Sequence, residues 1–301
     1  MTTISLRDPA TPAGTSTGET SREFWRGVLL AGGVSSVPKW TLDPRPGAAE
    51  HEETLPADLV ATLRRRAAEL AVPLASVLLT AHAQVLAALS GELEVVTGYL
   101  TGNGQPLPCR LMAGPGSWRA LLRRAQQAES QLLAHGGYPV GDLRRELGLT
   151  GPPFETAVDL TGGAGSGALT DGVAVRVAVL PHQDRLVLRL RYRTDVLDAG
   201  AAARIAGYHV AALRLIAADP DADPARQSLL SADEVRFQIE GLAGPRRDLP
   251  DRRFHELFEQ QAAAHPADIA AVRGGVRWTY AELNTRANRL ARALRAHGLR
   301  R

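Results

Sequence analysis

The stretch that decides the fold is Arg185–Ala218, RLVLRLRYRTDVLDAGAAARIAGYHVAALRLIAA. Its first nine residues alternate. Leu186, Leu188, Leu190 and Tyr192 share one face, and Arg189, Arg191 and Arg193 share the other, which is the period of a half-buried strand. Asp195 and Asp198 then bring turn and N-cap chemistry, since an Asp carboxylate can accept from the free N–H groups of a first helical turn. Ile205, His209, Ala212, Leu213 and Ile216 follow at helical spacing, so one stripe is apolar. Asp219-Pro220 closes the helix, because a residue before proline avoids the α region. A strand feeding a capped helix predicts an α/β fold.

Composition sets the bounds around that stretch. The chain has 301 residues, room for two domains, and 45% apolar content can fill a core. Net charge is only +3, yet the pI is about 9.4. Lys39 is the one lysine, so nearly all positive charge is arginine and persists to high pH. No arginine cluster interleaves with aromatics, so the charge reads as solvated faces, and no nucleic-acid partner is expected. A lone Cys109 excludes an internal disulfide and any cysteine metal cluster, which fits a cytoplasmic protein. No apolar run approaches the roughly 18 residues of a membrane span. No secretion signal is expected, and no membrane partner.

Outward from the opening stretch, residues 1–21 are rich in Thr, Ser, Pro and Gly and read as a disordered leader. A short helix opens at Phe24-Trp25 and ends near Gly32-Gly33. An irregular stretch runs from Val34 to Glu50. Leu55-Pro56 starts a helix that Pro73 breaks, and a second helix, 75–89, is apolar on most sides and should be buried. A strand is expected over 94–100, a turn over 101–104, and a short strand over 107–112. Ser117 caps a helix over 118–135, and a short helix covers 140–147. Strands over 154–160 and 173–180 flank the glycine run 162–167. A turn at Pro181–Asp184 then returns the chain to the opening strand. A linker follows, holding a short helix after Ser231. The last unit reads as a helix from Phe254, a strand over 269–272, a Gly274-Gly275 turn and a final helix. In that helix Tyr280, Leu283, Ala287, Leu290, Ala291 and Leu294 share an apolar stripe.

Chemical motifs are scarce. Gly163, Gly165 and Ala168 form a GxGxxA pattern, but a strand rather than a helix follows, so a loop is expected and not a dinucleotide site. The eight histidines stand singly, without HxxxH or HExxH spacing, so no metal site is expected. His82 and His209 read as hydrogen-bonded core histidines. No GxSxG elbow or Walker loop is present. The residues predict no catalytic group and no cofactor.

Several stretches resemble the C-terminal lobe of a condensation domain from a nonribosomal peptide synthetase. Phe24-Trp25-Arg26 resembles the opening of that lobe, and Asp43-Pro44-Arg45-Pro46 its Asp-Arg-Pro-Arg-Pro run. LPADLVATLRRRAAELAVPLASVLLTAHAQVLAALSG (Leu55–Gly91) resembles its paired helices, and Glu94–Gly104 the strand and glycine turn after them. Tyr192–Pro220 resembles its Thr-Asp turn and long last helix, and Ser228–Glu234 the exit linker. Phe254–Val272 and Trp278–Gly298 are similar to the beginning of an adenylation domain.

The resemblance implies half of a chloramphenicol-acetyltransferase-like fold, with strands 94–100, 155–161, 173–180 and 186–193 in one sheet. It divides the chain into a leader (1–21), a condensation lobe (22–230), a linker (231–250) and an adenylation fragment (251–301). The family's His-His-x-x-x-Asp-Gly signature, carried on a first lobe, does not occur. The segment between Gly104 and Trp118 is short for the family. His135–Val140 departs from its His-Gln-Asp-x-Pro-Phe pattern. The resemblance therefore implies a catalytically silent lobe serving as a platform for adenylation in peptide natural-product biosynthesis. The alternatives are half of an acyltransferase completed in trans, or a docking module. The chain alone is expected to be inactive and to bind no ATP. Expected partners are the remainder of the adenylation domain, the synthetase and peptidyl carrier proteins. The adenylation residues that carry over are an early structural motif, Thr279, Tyr280, Ala281, Glu282 and Leu283.

Overall fold

A computed structural model of the chain describes residues 18–102, 105–163, 168–183, 185–245, 248 and 251–299. The chain divides into two compact units with the break between Ile239 and Glu240. Residues 1–17, half of the expected turn at 101–104 (103 and 104), the glycines at 165 and 167 and position 184 of the 181–184 turn lie outside the described residues.

The first unit is built on a six-stranded sheet with the order β1-β6-β5-β4-β2-β3. Its strands are β1 (Ala48–Leu55), β2 (Glu94–Leu100), β3 (Pro106–Met112), β4 (Thr156–Asp159), β5 (Val175–His182) and β6 (Arg185–Arg193). The opening strand pairs antiparallel with β5 in a register that sets Val177 against Leu190 and His182 against Arg185. Only positions 183 and 184 lie between the strands, and Gln183 takes a left-handed φ of 52° there. A connection that short cannot make a parallel crossover. β2 with β4, and β4 with β5, pair in parallel, so the sheet is mixed. The four strands expected to share one sheet do so.

One face of the sheet carries the helices. Thr97 and Tyr99, Thr156 and Val158, Val175 and Val177, and Leu188 and Leu190 all point to it and are buried. Against this face pack α2 (Ala57–Leu70), α3 (Leu74–Ser90), α4 (Trp118–Ala134) and α6 (Ala199–Ala218). α3 is buried nearly all round, as its sequence predicts. α6 starts where Asp198 accepts from the Ala201 N–H at 2.7 Å, and α4 where Ser117 accepts from Ala120. Three smaller helices belong to the unit, α1 (Gly18–Leu30), α5 (Val140–Glu146) and α7 (Ala232–Arg236).

The opposite face is charged over β1, β6 and β5. Arg189 pairs with Glu52 at 2.6 Å, Arg191 with Glu50 at 3.3 Å and Arg193 with Asp195. Nearer β2 it is apolar, where Val96, Phe154, Ala157 and Val173 form a small cluster of their own.

Two differences from the sequence reading have physical causes. β1 falls in the stretch expected to be irregular and then to start a helix at Leu55. Its sequence, AAEHEETL, has no apolar alternation, and it holds its edge position through full antiparallel pairing with β6 and through Glu50 and Glu52 against the β6 arginines. Helix α2 begins only at Ala57, with Pro56 at the cap. Likewise α1 begins at Gly18, inside the stretch read as a leader. Ser21 is buried there on His135, and Trp25 is completely buried, so tertiary contacts fix its first turns.

The second unit contains α8 (Phe254–Ala264), the hairpin β7 (Ile269–Arg273) and β8 (Val276–Thr279), and α9 (Tyr280–Ala296). Gly274 and Gly275, at φ 54° and 83°, make the hairpin turn. β8 does not appear in the sequence reading, because four residues between a turn and a helix give too short a pattern. The apolar stripe of α9 is covered only in part: Tyr280 and Leu283 are half-buried, none of its residues is buried, and Leu290 is 61% exposed.

Candidate functional site

Three clusters of chemically capable side chains lie in the first unit, and each is described by itself. The first is between α3, α6 and the sheet. His82 Nδ1 lies 3.1 Å from His209 Nε2, with the rings stacked at 5.4 Å between centroids. His82 Nε2 lies 3.2 Å from the Thr97 hydroxyl, and His209 Nδ1 lies 2.8 Å from the Ile205 carbonyl. His82 is 1% and His209 3% exposed. Burial pushes both imidazoles down in pKa, His209 to about 4 and His82 well below its ordinary value, with the neighbouring His209 a second cause for His82. Both are therefore neutral at pH 7, and neither reaches solvent. They are the hydrogen-bonded core histidines that the sequence predicts.

Two residues along β2, the buried carboxylate of Glu129 on α4 accepts from Ser76 Oγ at 2.9 Å and from the Tyr99 hydroxyl. Burial, with a smaller contribution from Glu129, pushes the Cys109 thiol up to about 12. Such a thiol supplies no thiolate at neutral pH.

The second cluster joins α1 to the end of α4. Ser21 Oγ lies 3.0 Å from His135 Nδ1, Phe24 stacks on the His135 ring at 4.4 Å, and the Trp25 indole donates to the His135 carbonyl. A serine–histidine contact is half of a nucleophile–base arrangement. Here Ser21 is buried, and among the described residues no carboxylate is hydrogen-bonded to His135, so the pair reads as a fastening of α1 to the end of α4. Sequence spacing could not have shown it, since the partners are 114 residues apart.

The third is a groove of about 640 Å³ between α6 and the segment 228–234. Ala203, Gly207 and Ala211 line it, together with Arg204, Arg214 and Glu234. Tyr208 donates to Glu234 at 2.5 Å, and burial together with that carboxylate raises the phenol above its ordinary pKa. A smaller cleft of about 140 Å³ behind α1 is lined by Arg110 and Arg144, which suggests anion binding at first sight. Arg110, however, pairs with Glu94 at 2.9 Å and caps the Gly32 carbonyl, and Arg144 donates to the Gly151 carbonyl at 2.6 Å. Both guanidiniums serve backbone oxygens at loop entrances.

In the second unit the motif at 279–283 forms one structural element. Thr279 Oγ1 accepts from the Glu282 N–H at 3.2 Å, and Glu282 accepts from the Thr279 N–H at 3.0 Å, a reciprocal cap at the start of α9. Tyr280 packs on Phe258 of α8 at 5.7 Å, its N–H donates to Asp268, and the Ala281 N–H donates to Pro266. Leu283 is half-buried. The Thr-x-x-Glu spacing is the sequence signal for this cap. Among the described residues no group of three or more His, Cys, Asp or Glu is placed to hold a metal. No single helix among them is long and apolar enough to cross a membrane.

Known proteins agree with this geometry in both units. Residues 258–301 match the family model for AMP-binding enzymes. Tyrocidine synthase 3 of Brevibacillus parabrevis is 30% identical over 281 residues, covering 80% of this chain and 4% of that synthase. A four-domain nonribosomal peptide synthetase solved with AMP and glycine superposes with a TM-score of 0.65 at 17% identity, over 93% of this chain and 25% of that one. The chain is nonribosomal-peptide-synthetase-like. Its first unit has the fold of the condensation domain from a monacolin K polyketide synthase, with a TM-score of 0.58 at 16% identity, over 68% of this chain and 58% of that one. The first unit thus has a mixed-sheet fold of the condensation-domain, chloramphenicol-acetyltransferase-like type, and residues 258–301 are similar to AMP-binding enzymes. The chain spans only about 4% of the length of the curated synthase it matches.

Proposed function

We propose that the first unit is a catalytically silent condensation lobe that serves as a platform for the adjoining adenylation domain of a cytoplasmic peptide synthetase. The observation that carries this reading is the placement of three of the lobe's histidines, His82, His135 and His209. Peptide-bond formation is speeded by a base, most often a histidine, within hydrogen-bond reach of the attacking amine. His82 and His209 are held neutral in core hydrogen bonds, and His135 is held between Ser21 and Phe24. The chain also contains no His-His-x-x-x-Asp-Gly. Without general-base help, a loss on the order of 10²–10⁴-fold is expected.

The platform role draws support from the packing. The lobe buries its own core completely, whereas the second unit leaves the α9 stripe and Phe254, at 85% exposed, open to further adenylation structure. In this reading residues 279–283 start α9 and fix it to α8, and they contact no nucleotide. Carrier proteins and the rest of the synthetase are the partners.

Two measurements test the reading. The chain is incubated with loaded donor and acceptor carriers, and no dipeptide above background is expected, with or without an added first condensation lobe. Product only when a first lobe is added would favour the split acyltransferase, and product without it would end the silent reading. The chain is also joined to a complete adenylation domain, with and without residues 22–230. Loss of soluble protein, or of amino-acid-dependent pyrophosphate exchange, on deleting the lobe is expected. Unchanged exchange and thermal stability would rule out a platform.

A further inference from the structure

The hydrogen bonds around His82 and His209 run in one direction. The Ile205 carbonyl can only accept, so His209 Nδ1, 2.8 Å away, carries the proton. In the neutral ring Nε2 then accepts, and its neighbour at 3.1 Å, His82 Nδ1, must donate. That leaves His82 Nε2 as an acceptor for the Thr97 hydroxyl at 3.2 Å, and Thr97 Oγ1 accepts from Thr156 Oγ1 at 3.0 Å. The chain links β4, β2, α3 and α6, and with both rings neutral each N–H and O–H in it up to the Thr97 hydroxyl has an acceptor. A proton on His209 Nε2 would set two donors against each other unless His82 moved its own proton from Nδ1 to Nε2, where it would face the Thr97 hydroxyl. A proton on His82 Nε2 would reverse the Thr97 hydroxyl and leave it no acceptor along the chain. We propose that His82 and His209 form a tautomer-locked latch that holds α3 and α6 on the sheet at neutral pH and lets go when either ring takes a proton.

Among the described residues no carboxylate is hydrogen-bonded to either ring. The side chains facing it are Val37, Val85, Leu86, Val175, Val177 and Ile205, with Thr156. The titratable groups on the other elements packed against α3 and α6 make no hydrogen bond into the chain. On α4, Glu129 is bound to Ser76 and Tyr99. On β1, His51 lies by Glu53 at 3.9 Å. On α2, Arg66 serves Ala217 and Glu69. Tyr192 of β6 is raised in pKa, chiefly by burial. Asp159, Arg176 and Arg189 lie on the other face of the sheet.

The sign of the pH effect follows. In the unfolded chain a histidine titrates near 6.5. In the folded lobe burial lowers both, His209 to about 4. As pH falls below about 6.5 the unfolded chain takes up protons that the folded lobe refuses. Stability is therefore full above 6.5 and is lost as pH falls toward 4. Each ring still neutral at pH 5 lowers the folding equilibrium constant about 30-fold between pH 7.5 and pH 5.

The test uses the whole chain with ¹⁵N-labelled histidine. Two-bond couplings at pH 7.5 should show the Nδ1–H tautomer for both His82 and His209, each assigned by its Gln variant, and neither ring should become an imidazolium at pH 5.5. Denaturant unfolding of the first unit is then compared at pH 7.5 and pH 5. The wild type should lose at least about 30-fold more in its folding constant than H82Q/H209Q, the share of His209 alone. An Nε2–H tautomer at His209, a charged ring in the folded lobe at pH 5.5, or equal acid losses in the two proteins would overturn the latch. If the double variant does not fold, the tautomers and titration of the wild-type rings decide alone.

Discussion

Gly98 sits in the middle of β2, the strand that pairs with β3 on one side and with β4 on the other. A Cβ added there would lie 2.5, 2.7 and 2.8 Å from three carbons of the Phe154 ring. Carbon atoms attract best at about 3.5–4.0 Å, so the ring or the strand must move by about 1 Å. Neither moves freely. Phe154 is 4% exposed in the cluster with Val96, Ala157 and Val173, and the strand is tied to both neighbours. Overpacking of this kind typically costs about 1–3 kcal/mol, so Gly98→Ala should destabilise the first unit by about 2 kcal/mol. With a urea slope of about 2 kcal/mol/M, the midpoint would fall by about 1 M. The partner of the clash gives the control. Phe154→Leu alone should destabilise by leaving a cavity, but it should relieve Gly98→Ala, so the double variant should be more stable than the sum of the singles by about 0.5–3 kcal/mol. Equilibrium unfolding of the four proteins, followed by tryptophan fluorescence, reads all of this. A Gly98→Ala midpoint within error of the wild type, or strict additivity with Phe154→Leu, would refute the argument from close approach.

Asp198→Ala removes the acceptor for the Ala201 N–H at the start of α6 and should cost about 1 kcal/mol, read as a midpoint shift, while Asp198→Asn should cost less. Glu129→Ala removes the acceptor shared by Ser76 and Tyr99 in the core and should cost at least about 1–3 kcal/mol. A loss under about 0.5 kcal/mol would mean the network does not hold α4 to the sheet. Cys109, with its thiol pushed up to about 12, should resist a thiol reagent at pH 8 in the native chain and react at once in denaturant; fast native labelling would contradict its burial. Hydrogen exchange should be slow across 199–216 and fast across 280–296, because α6 is buried along its length and α9 buries no residue. Equal protection in a dilute monomer would show the second unit to be self-sufficient.

The elements legible in the sequence are those whose residues carry their own signal. The Leu-x-Leu-x-Leu-x-Tyr alternation of β6 can bury a face only as a strand, and Asp198, with the apolar stripe behind it, can start only a helix. Ser117 marks α4 in the same way, and Gly91, in the left-handed region at φ 76°, ends α3. His82 and His209 are legible as core residues because each sits in an apolar helical face. What remained hidden depends on partners far away in the chain. β1 is a strand because β6 lies beside it and its arginines meet Glu50 and Glu52, from 137 to 141 residues away by position. The first turns of α1 rest on His135, and without that contact a Thr/Ser-rich stretch has no reason to order. The two histidines reveal nothing of each other across 127 residues, and only the packing of α3 on α6 brings their nitrogens to 3.1 Å and fixes where each proton lies. Local pattern determined which segments bury a face. The tertiary structure decided which buried polar atoms meet, because the direction and partner of a hydrogen bond are properties of two places in the chain at once.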